Sequence, residues 1–147
     1  MKQLFIVLTM LSFYFAKAHP APIDIAPAAI NSFNMSFKNA SNSEWVVLGE
    51  IYRVRFIYEN QLLYAFYNEQ GERICIGRII SLQQLPPTLK VGFQKYVSGY
   101  KVAEVFEISN NNDVSYYITI VNEEHKIILK SSGIFNWSVF EKTKISK

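Results

Sequence analysis

Three residues of this sequence have side chains that commonly carry out acid–base, nucleophilic or metal chemistry: His19, Cys75 and His125. They are the two histidines and the one cysteine of the 147-residue chain. A catalytic histidine needs a partner within hydrogen-bond reach. His125 follows Glu123 and Glu124 in a predicted turn, where a solvated side chain is the expected role. No Ser–His–Asp arrangement is indicated, and we predict that the protein is not an enzyme.

Metal binding and thiol chemistry are the alternatives for the same three residues. A histidine at a mature N-terminus can chelate copper, so His19 could be a ligand with His125 as the second. Metal sites need three or four converging ligands, however, and no third is evident. Cys75 is predicted to be a small buried apolar residue, although Arg55 and Arg73 would lower its pKa if they were close. We expect no metal and no cofactor; the alternative is a metal-handling protein or an enzyme that uses these residues.

The first 18 residues have the pattern of an export signal. Lys2 precedes an apolar run from Gln3 to Phe15, and Ala16-Lys17-Ala18 has small residues where a signal peptidase requires them. The run is shorter than the about 20 residues of a membrane-spanning helix. We predict cleavage after Ala18 and a mature protein that is periplasmic or secreted, with no membrane insertion.

The composition limits the class of the mature protein. Half of the residues are apolar and 18% are charged, which excludes a disordered chain. The net charge is +3, and Lys2 and Lys17 of the signal supply two of these charges. A nearly neutral mature chain has no strong electrostatic attraction for nucleic acid. One cysteine excludes an internal disulfide framework.

The elements predicted after the signal follow an order that repeats. Residues 19–26 are expected to be flexible, and 27–147 to form a single domain with pseudo-repeats at about 27–84 and 85–147. Pro27 and Pro87 suit helix starts, and Phe33 and Phe93 follow each proline by six residues. Four strands are predicted after each helix: 44–48, 51–58, 62–67, 73–81, and then 101–108, 114–121, 126–131, 135–142. The predicted fold class is α+β: an antiparallel sheet with both helices on one face and the other face open.

The open sheet face is the predicted binding surface. Alternation along residues 51–58 places Arg53 and Arg55 on the face opposite the apolar side chains. A hairpin with Tyr67 opposite Arg73 is predicted to add both to that face, and Tyr117 is expected there from the second half. Tyrosine and arginine are typical anchors of protein interfaces. A merely solvated face is the alternative.

The ordered set of sequence fragments resembles the PepSY-like family of exported bacterial proteins, also described as β-lactamase-inhibitor-like. The fragments are Ala40, Glu44-Trp45, Tyr52 and Phe56, Ala65-Phe66-Tyr67 with Gly71, Arg78, Leu85-Pro86, Tyr96, Tyr100, and Tyr116-Tyr117 with Val121. The resemblance implies two helix–four-strand units and an envelope or secreted location, most often in Bacteroidetes-type bacteria. It implies no catalytic residues, and inhibition of a protease or β-lactamase only through name and fold.

Together these observations predict an exported, non-enzymatic binding or inhibitory module that acts through the open sheet face. The expected partner is a protein or peptide. An envelope structural protein without a discrete ligand is the further alternative.

Overall fold

The structure is a computed structural model that describes residues 24–111 and 113–145. The predicted signal, its cleavage site and His19 lie outside these residues. Within the described part of the chain, no helix has the length and apolar character needed to cross a membrane.

The described residues form two short α-helices and eight strands. Their bounds are α1 Pro27–Ser36, β1 Ser41–Leu48, β2 Ile51–Tyr58, β3 Gln61–Tyr67, β4 Arg73–Ile79, α2 Pro87–Phe93, β5 Lys101–Ser109, β6 Val114–Val121, β7 His125–Ser132 and β8 Asn136–Lys144. Single 3-10 turns at Leu82–Gln84 and Gln94–Tyr96 flank α2. Both α-helices begin at a proline, whose fixed φ suits the first helical position.

The predicted α+β fold of two helix–four-strand repeats is wrong, because the protein is mostly an antiparallel sheet. Strands contain 52% of the described residues, and α-helices and 3-10 turns together contain 19%. The helices have ten and seven residues, too few for a helical layer that balances eight strands. Hydrogen-bonded strand neighbours follow the sequence order from β1 to β8.

The chain divides into two compact units, and the division falls inside β4. The first unit ends at Ile76 and the second begins at Gly77. The predicted repeat boundary at residues 84 and 85 therefore lies after the division, and β4 belongs wholly to neither unit.

The core of the first unit lies between α1 and one face of its strands. Phe33 of α1 is buried, and its ring meets Phe56 of β2 edge-on with centroids 4.9 Å apart. Ala29 and Phe37 complete the buried side of the helix and its C-terminus. The turn before β4 closes on the same helix: a Cβ on Gly71, which has φ +79°, would lie 2.5 Å from the Ala28 carbonyl oxygen. Only glycine fits this turn.

The core of the second unit lies between α2 and strands β5 to β8. Leu89 and Phe93 of α2 are buried together with Ile118, Leu129 and Trp137. Trp137 meets Phe93 at a steep ring angle, with centroids 6.2 Å apart. This packing fixes α2 against the start of β8.

Candidate functional site

Tyr67 does not lie on the face predicted for it. The pairing of β2 with β3 sets Tyr67 opposite Tyr52, Ala65 opposite Val54 and Leu63 opposite Phe56. Residues that pair directly point to the same side of a sheet, so Tyr67 lies on the α1 side. Its side chain is fully buried there, with its ring 6.0 Å from that of Trp45. Burial raises the pKa of Tyr67 to about 12, although the positive charge of Arg73 acts to lower it.

Arg73 lies on the same side as Tyr67. The Asn68 N–H donates to the Glu72 carbonyl oxygen (3.1 Å), which agrees with the predicted pairing of Tyr67 with Arg73. The guanidinium carbon of Arg73 lies 5.9 Å from the ring centroid of Phe37, at the end of α1. Arg73 is exposed, but the placement of Tyr67 and Arg73 on the face away from the helix was wrong. The reason is the register of β2 with β3, which alternation alone does not determine.

Arg53 and Tyr117 are not on an open surface either. Arg53 does lie on the side of β2 away from α1, opposite Phe66, but only 4% of it is exposed. Tyr117 of β6 is buried, with the amine of Lys130 5.7 Å from its ring centroid. The prediction that these two side chains are open to a partner on the sheet face is therefore wrong. Any binding role for them stays a prediction.

Arg55 is the one member of the predicted set that is both half-exposed and on the side away from α1. It pairs with Glu44 of β1 and with Tyr64 of β3, so three side chains line up across three strands. The Arg55 Nη1 donates to Glu44 Oε2 (3.1 Å), and 40% of the Arg55 side chain is exposed. The pKa of Arg55 is raised: desolvation lowers it, and the charge of Glu44 and a hydrogen bond with Tyr64 outweigh that effect.

We call Glu44, Arg55 and Tyr64 the Arg55 surface. Tyr64 also lies beneath Arg53, whose guanidinium carbon is 5.9 Å from the Tyr64 ring centroid. Sequence reasoning missed Tyr64, although a signal was present. A two-residue turn at Glu59-Asn60 pairs Tyr58 with Gln61, and counting back from that pair sets Arg55 opposite Tyr64.

Two of the three candidates for metal or catalytic chemistry, Cys75 and His125, lie among the described residues. His125 begins β7, and its Nδ1 lies 3.8 Å from Glu124 Oε2. Cys75 in β4 is a free, buried thiol, and burial raises its pKa to about 12. At neutral pH this thiol is therefore protonated and a poor nucleophile. The described residues contain no group of three or more His, Cys, Asp or Glu side chains that could hold a metal ion.

An ion pair in the second unit joins two neighbouring strands. Arg78 of β4 donates from Nε to Glu107 Oε1 (2.7 Å) and from Nη2 to Glu107 Oε2 (3.3 Å). Glu107 of β5 pairs in turn with Tyr116 of β6. This two-point contact orients side chains along the sheet, which is a structural role.

The sequence matches no protein-family model and no curated protein. The fold, by contrast, matches solved structures over most of the chain. A predicted periplasmic protein from Bacteroides eggerthii has a TM-score of 0.72 at 12% identity, covering 83% of this chain and 90% of that one. A DUF2874 family protein from Bacteroides ovatus has a TM-score of 0.69 at 14% identity, covering 82% and 88%.

A BLIP-like protein from Bacteroides fragilis shares the fold as well. Its TM-score is 0.64 at 15% identity, and the match covers 85% of this chain and 89% of that chain. The chain therefore has a BLIP-like fold, which confirms this part of the sequence resemblance. At these identities the likeness concerns the fold alone.

Proposed function

We propose that the mature chain is a non-enzymatic binding module of the periplasm or the secreted space, and that it binds a protein or peptide through the Arg55 surface. The observation that carries the proposal is the alignment of Glu44, Arg55 and Tyr64 across β1, β2 and β3, on the side away from α1, where Glu44 is exposed and the other two are half-exposed. The location is supported by the fold that the chain shares with a predicted periplasmic protein.

The Arg55 surface has the chemistry of an interface anchor. Arginine and tyrosine dominate the binding energy of many protein interfaces, since they combine a large contact area with directional hydrogen bonds. The Glu44–Arg55 ion pair is largely solvated, so it contributes little to folding. A partner carboxylate can therefore replace Glu44 on the Arg55 guanidinium at small cost, while the Tyr64 ring supplies flat apolar contact.

The experiment is affinity capture from an envelope extract of the native host, followed by a titration with the captured protein. The double variant Arg55→Ala/Tyr64→Ala is compared with wild type in this titration. We expect binding to weaken by about 2 kcal/mol, roughly thirtyfold, as for interface anchors. The far-ultraviolet circular dichroism and the unfolding midpoint are measured on the same samples.

A matched control removes one cation and one exposed apolar side chain on the α1 side of the first unit. Lys38→Ala combined with Met35→Ala does this, since both residues are exposed at or just beyond α1. The control should bind like wild type. Equal affinities for the Arg55/Tyr64 variant and wild type would contradict a role for the Arg55 surface.

A further inference from the structure

A second surface, on the second unit, carries large apolar side chains into solvent. Val91 of α2 is 74% exposed, and Ile134 and Phe135 in the turn between β7 and β8 are 48% and 66% exposed. We call these three residues the Phe135 patch. Large apolar side chains that cluster in solvent mark interaction sites more often than scattered ones do.

The helix and the turn that make up the Phe135 patch are held together by directional contacts. The Thr88 hydroxyl donates to the carbonyl oxygen of Ile134. A Cβ on Gly92 would lie 3.7 Å from the Phe135 carbonyl oxygen. Val91 lies three residues after Thr88 and next to Gly92, and so borders the contacted side of the helix. These contacts hold the turn that carries Ile134 and Phe135 against the helix that carries Val91.

The border of the Phe135 patch is polar and basic. Gln94 and Asn136 are exposed beside it. The Lys95 amine lies 5.0 Å from the ring centroid of Tyr96, whose hydroxyl donates to the Trp137 carbonyl oxygen (3.0 Å). This contact holds a positive charge next to the start of β8.

The two sequence segments that form the Phe135 patch contain no acidic residues. None occurs from residue 73 to 103, which includes α2, or from 125 to 140, which includes the turn. A second copy of the chain seated patch to patch would bring Lys95 next to its counterpart, which is unfavourable. A partner with large apolar side chains and carboxylates would match both the exposed apolar residues and the positive charge of Lys95.

We propose that the Phe135 patch docks a protein segment that carries both large apolar residues and Asp or Glu. The apolar side chains cover Phe135 and its neighbours, and a carboxylate pairs with Lys95. A rigid apolar centre with a polar border is the usual anatomy of a protein interface. An anionic membrane is the less suitable partner, because insertion would also desolvate Gln94 and Asn136. The proposal does not depend on the Arg55 surface, and either can fail without the other.

The test uses a random library of peptides of about 12 residues displayed on phage. The mature chain is the bait, and peptides that also bind the Phe135→Ser variant are removed. We expect the enriched peptides to contain more Asp and Glu and more large apolar residues than the starting library. No enrichment, or enrichment of basic peptides, would overturn the proposal.

An enriched peptide is then titrated against four proteins. We expect at least tenfold weaker binding to Phe135→Ser and to Lys95→Glu than to wild type. Met35→Ser, which removes an exposed apolar side chain from the first unit, is the matched control and should bind like wild type. Equal affinity for Lys95→Glu and wild type would remove the electrostatic part of the proposal and so overturn it.

Vesicles of phosphatidylglycerol provide the membrane arm. We expect wild type and Phe135→Ser to sediment equally poorly with them. Binding of wild type to the vesicles that is lost in Phe135→Ser would assign the patch to a lipid surface and overturn the protein partner.

Discussion

The indole N–H of Trp137 donates to the main-chain carbonyl oxygen of Leu89 across 2.8 Å. One side chain of the last strand thus satisfies a carbonyl inside the seven-residue helix α2. The Trp137 ring is buried and is packed against Phe93 of the same helix. A helix this short has little intrinsic stability, so its position depends on such tertiary contacts.

Replacing Trp137 should separate the hydrogen bond from the packing. Trp137→Phe keeps an aromatic ring but removes the indole hydrogen bond to the Leu89 carbonyl, and we expect a loss of about 0.5–1.5 kcal/mol in the free energy of unfolding. Trp137→Ala removes the packing as well and should cost about 3–5 kcal/mol. Urea unfolding followed by circular dichroism measures both. Equal losses for the two variants would mean that packing against α2 contributes nothing.

Phe33 and Phe93 should each be essential to the stability of the chain. Both are buried in the contact between a short helix and its strands. Truncation of either to Ala should lower the free energy of unfolding by about 3–5 kcal/mol. Val91→Ala, at an exposed position of α2, is the control and should change it by less than about 0.5 kcal/mol.

Tyr67→Phe should leave the protein as stable as wild type or make it more stable, by up to about 1 kcal/mol. The Tyr67 hydroxyl is buried and has no hydrogen-bond partner among the described residues. Phenylalanine keeps the ring against Trp45 and removes the polar atom. Thermal and urea unfolding of the two proteins give the comparison. A loss above about 1 kcal/mol would show that the hydroxyl is satisfied in solution.

Gly77→Ala should destabilise the second unit. A Cβ at this position would lie 2.5 Å from the Cζ atom of Phe106, which is itself buried. The ring has to move into a packed environment, and we expect a cost of about 1–3 kcal/mol. The double variant Gly77→Ala/Phe106→Leu measures the coupling. Its loss in the free energy of unfolding should be smaller than the sum of the losses for Gly77→Ala and Phe106→Leu measured separately.

Alkaline pH should weaken folding between about pH 9 and 12. Burial raises the pKa of Cys75 from 9.0 to about 12 and that of Tyr67 from 10.0 to about 12. At a pH between the pKa of a group in the unfolded chain and its pKa in the folded protein, the group loses its proton only in the unfolded state. The contribution of these two groups to the free energy of unfolding is therefore fully present below about pH 9. It falls as the pH rises, by about 1.4 kcal/mol per pH unit for each group. Urea midpoints against pH measure the slope.

Cys75→Ala provides the control for the alkaline slope. It should flatten the decline in stability between about pH 9 and 10, where the cysteine of the unfolded chain loses its proton and the tyrosine still keeps its own. An unchanged slope would contradict the protonated, buried thiol. The same thiol should react with a disulfide reagent at pH 8 only as fast as the chain unfolds, because a buried and protonated sulfur is a poor nucleophile.

Several local features followed from the sequence alone. Alternation predicted the strand Ile51–Tyr58, and the strand Val114–Val121 also has the bounds expected from the sequence. Proline at the first helical position predicted where α1 and α2 begin. These features depend on side-chain periodicity and on the geometry of single residues, which a short stretch of chain already contains.

Tertiary structure decided which of those side chains form a surface. Alternation shows that Tyr67 and Phe66 point to opposite faces, but only pairing with β2 sets Tyr67 opposite Tyr52 and buries it beside α1. A shift of one residue would have exchanged the two faces. The exposure of Phe135 likewise depends on where α2 packs. The sequence thus determined the elements, and the register and packing between distant segments determined which residues are available to a partner.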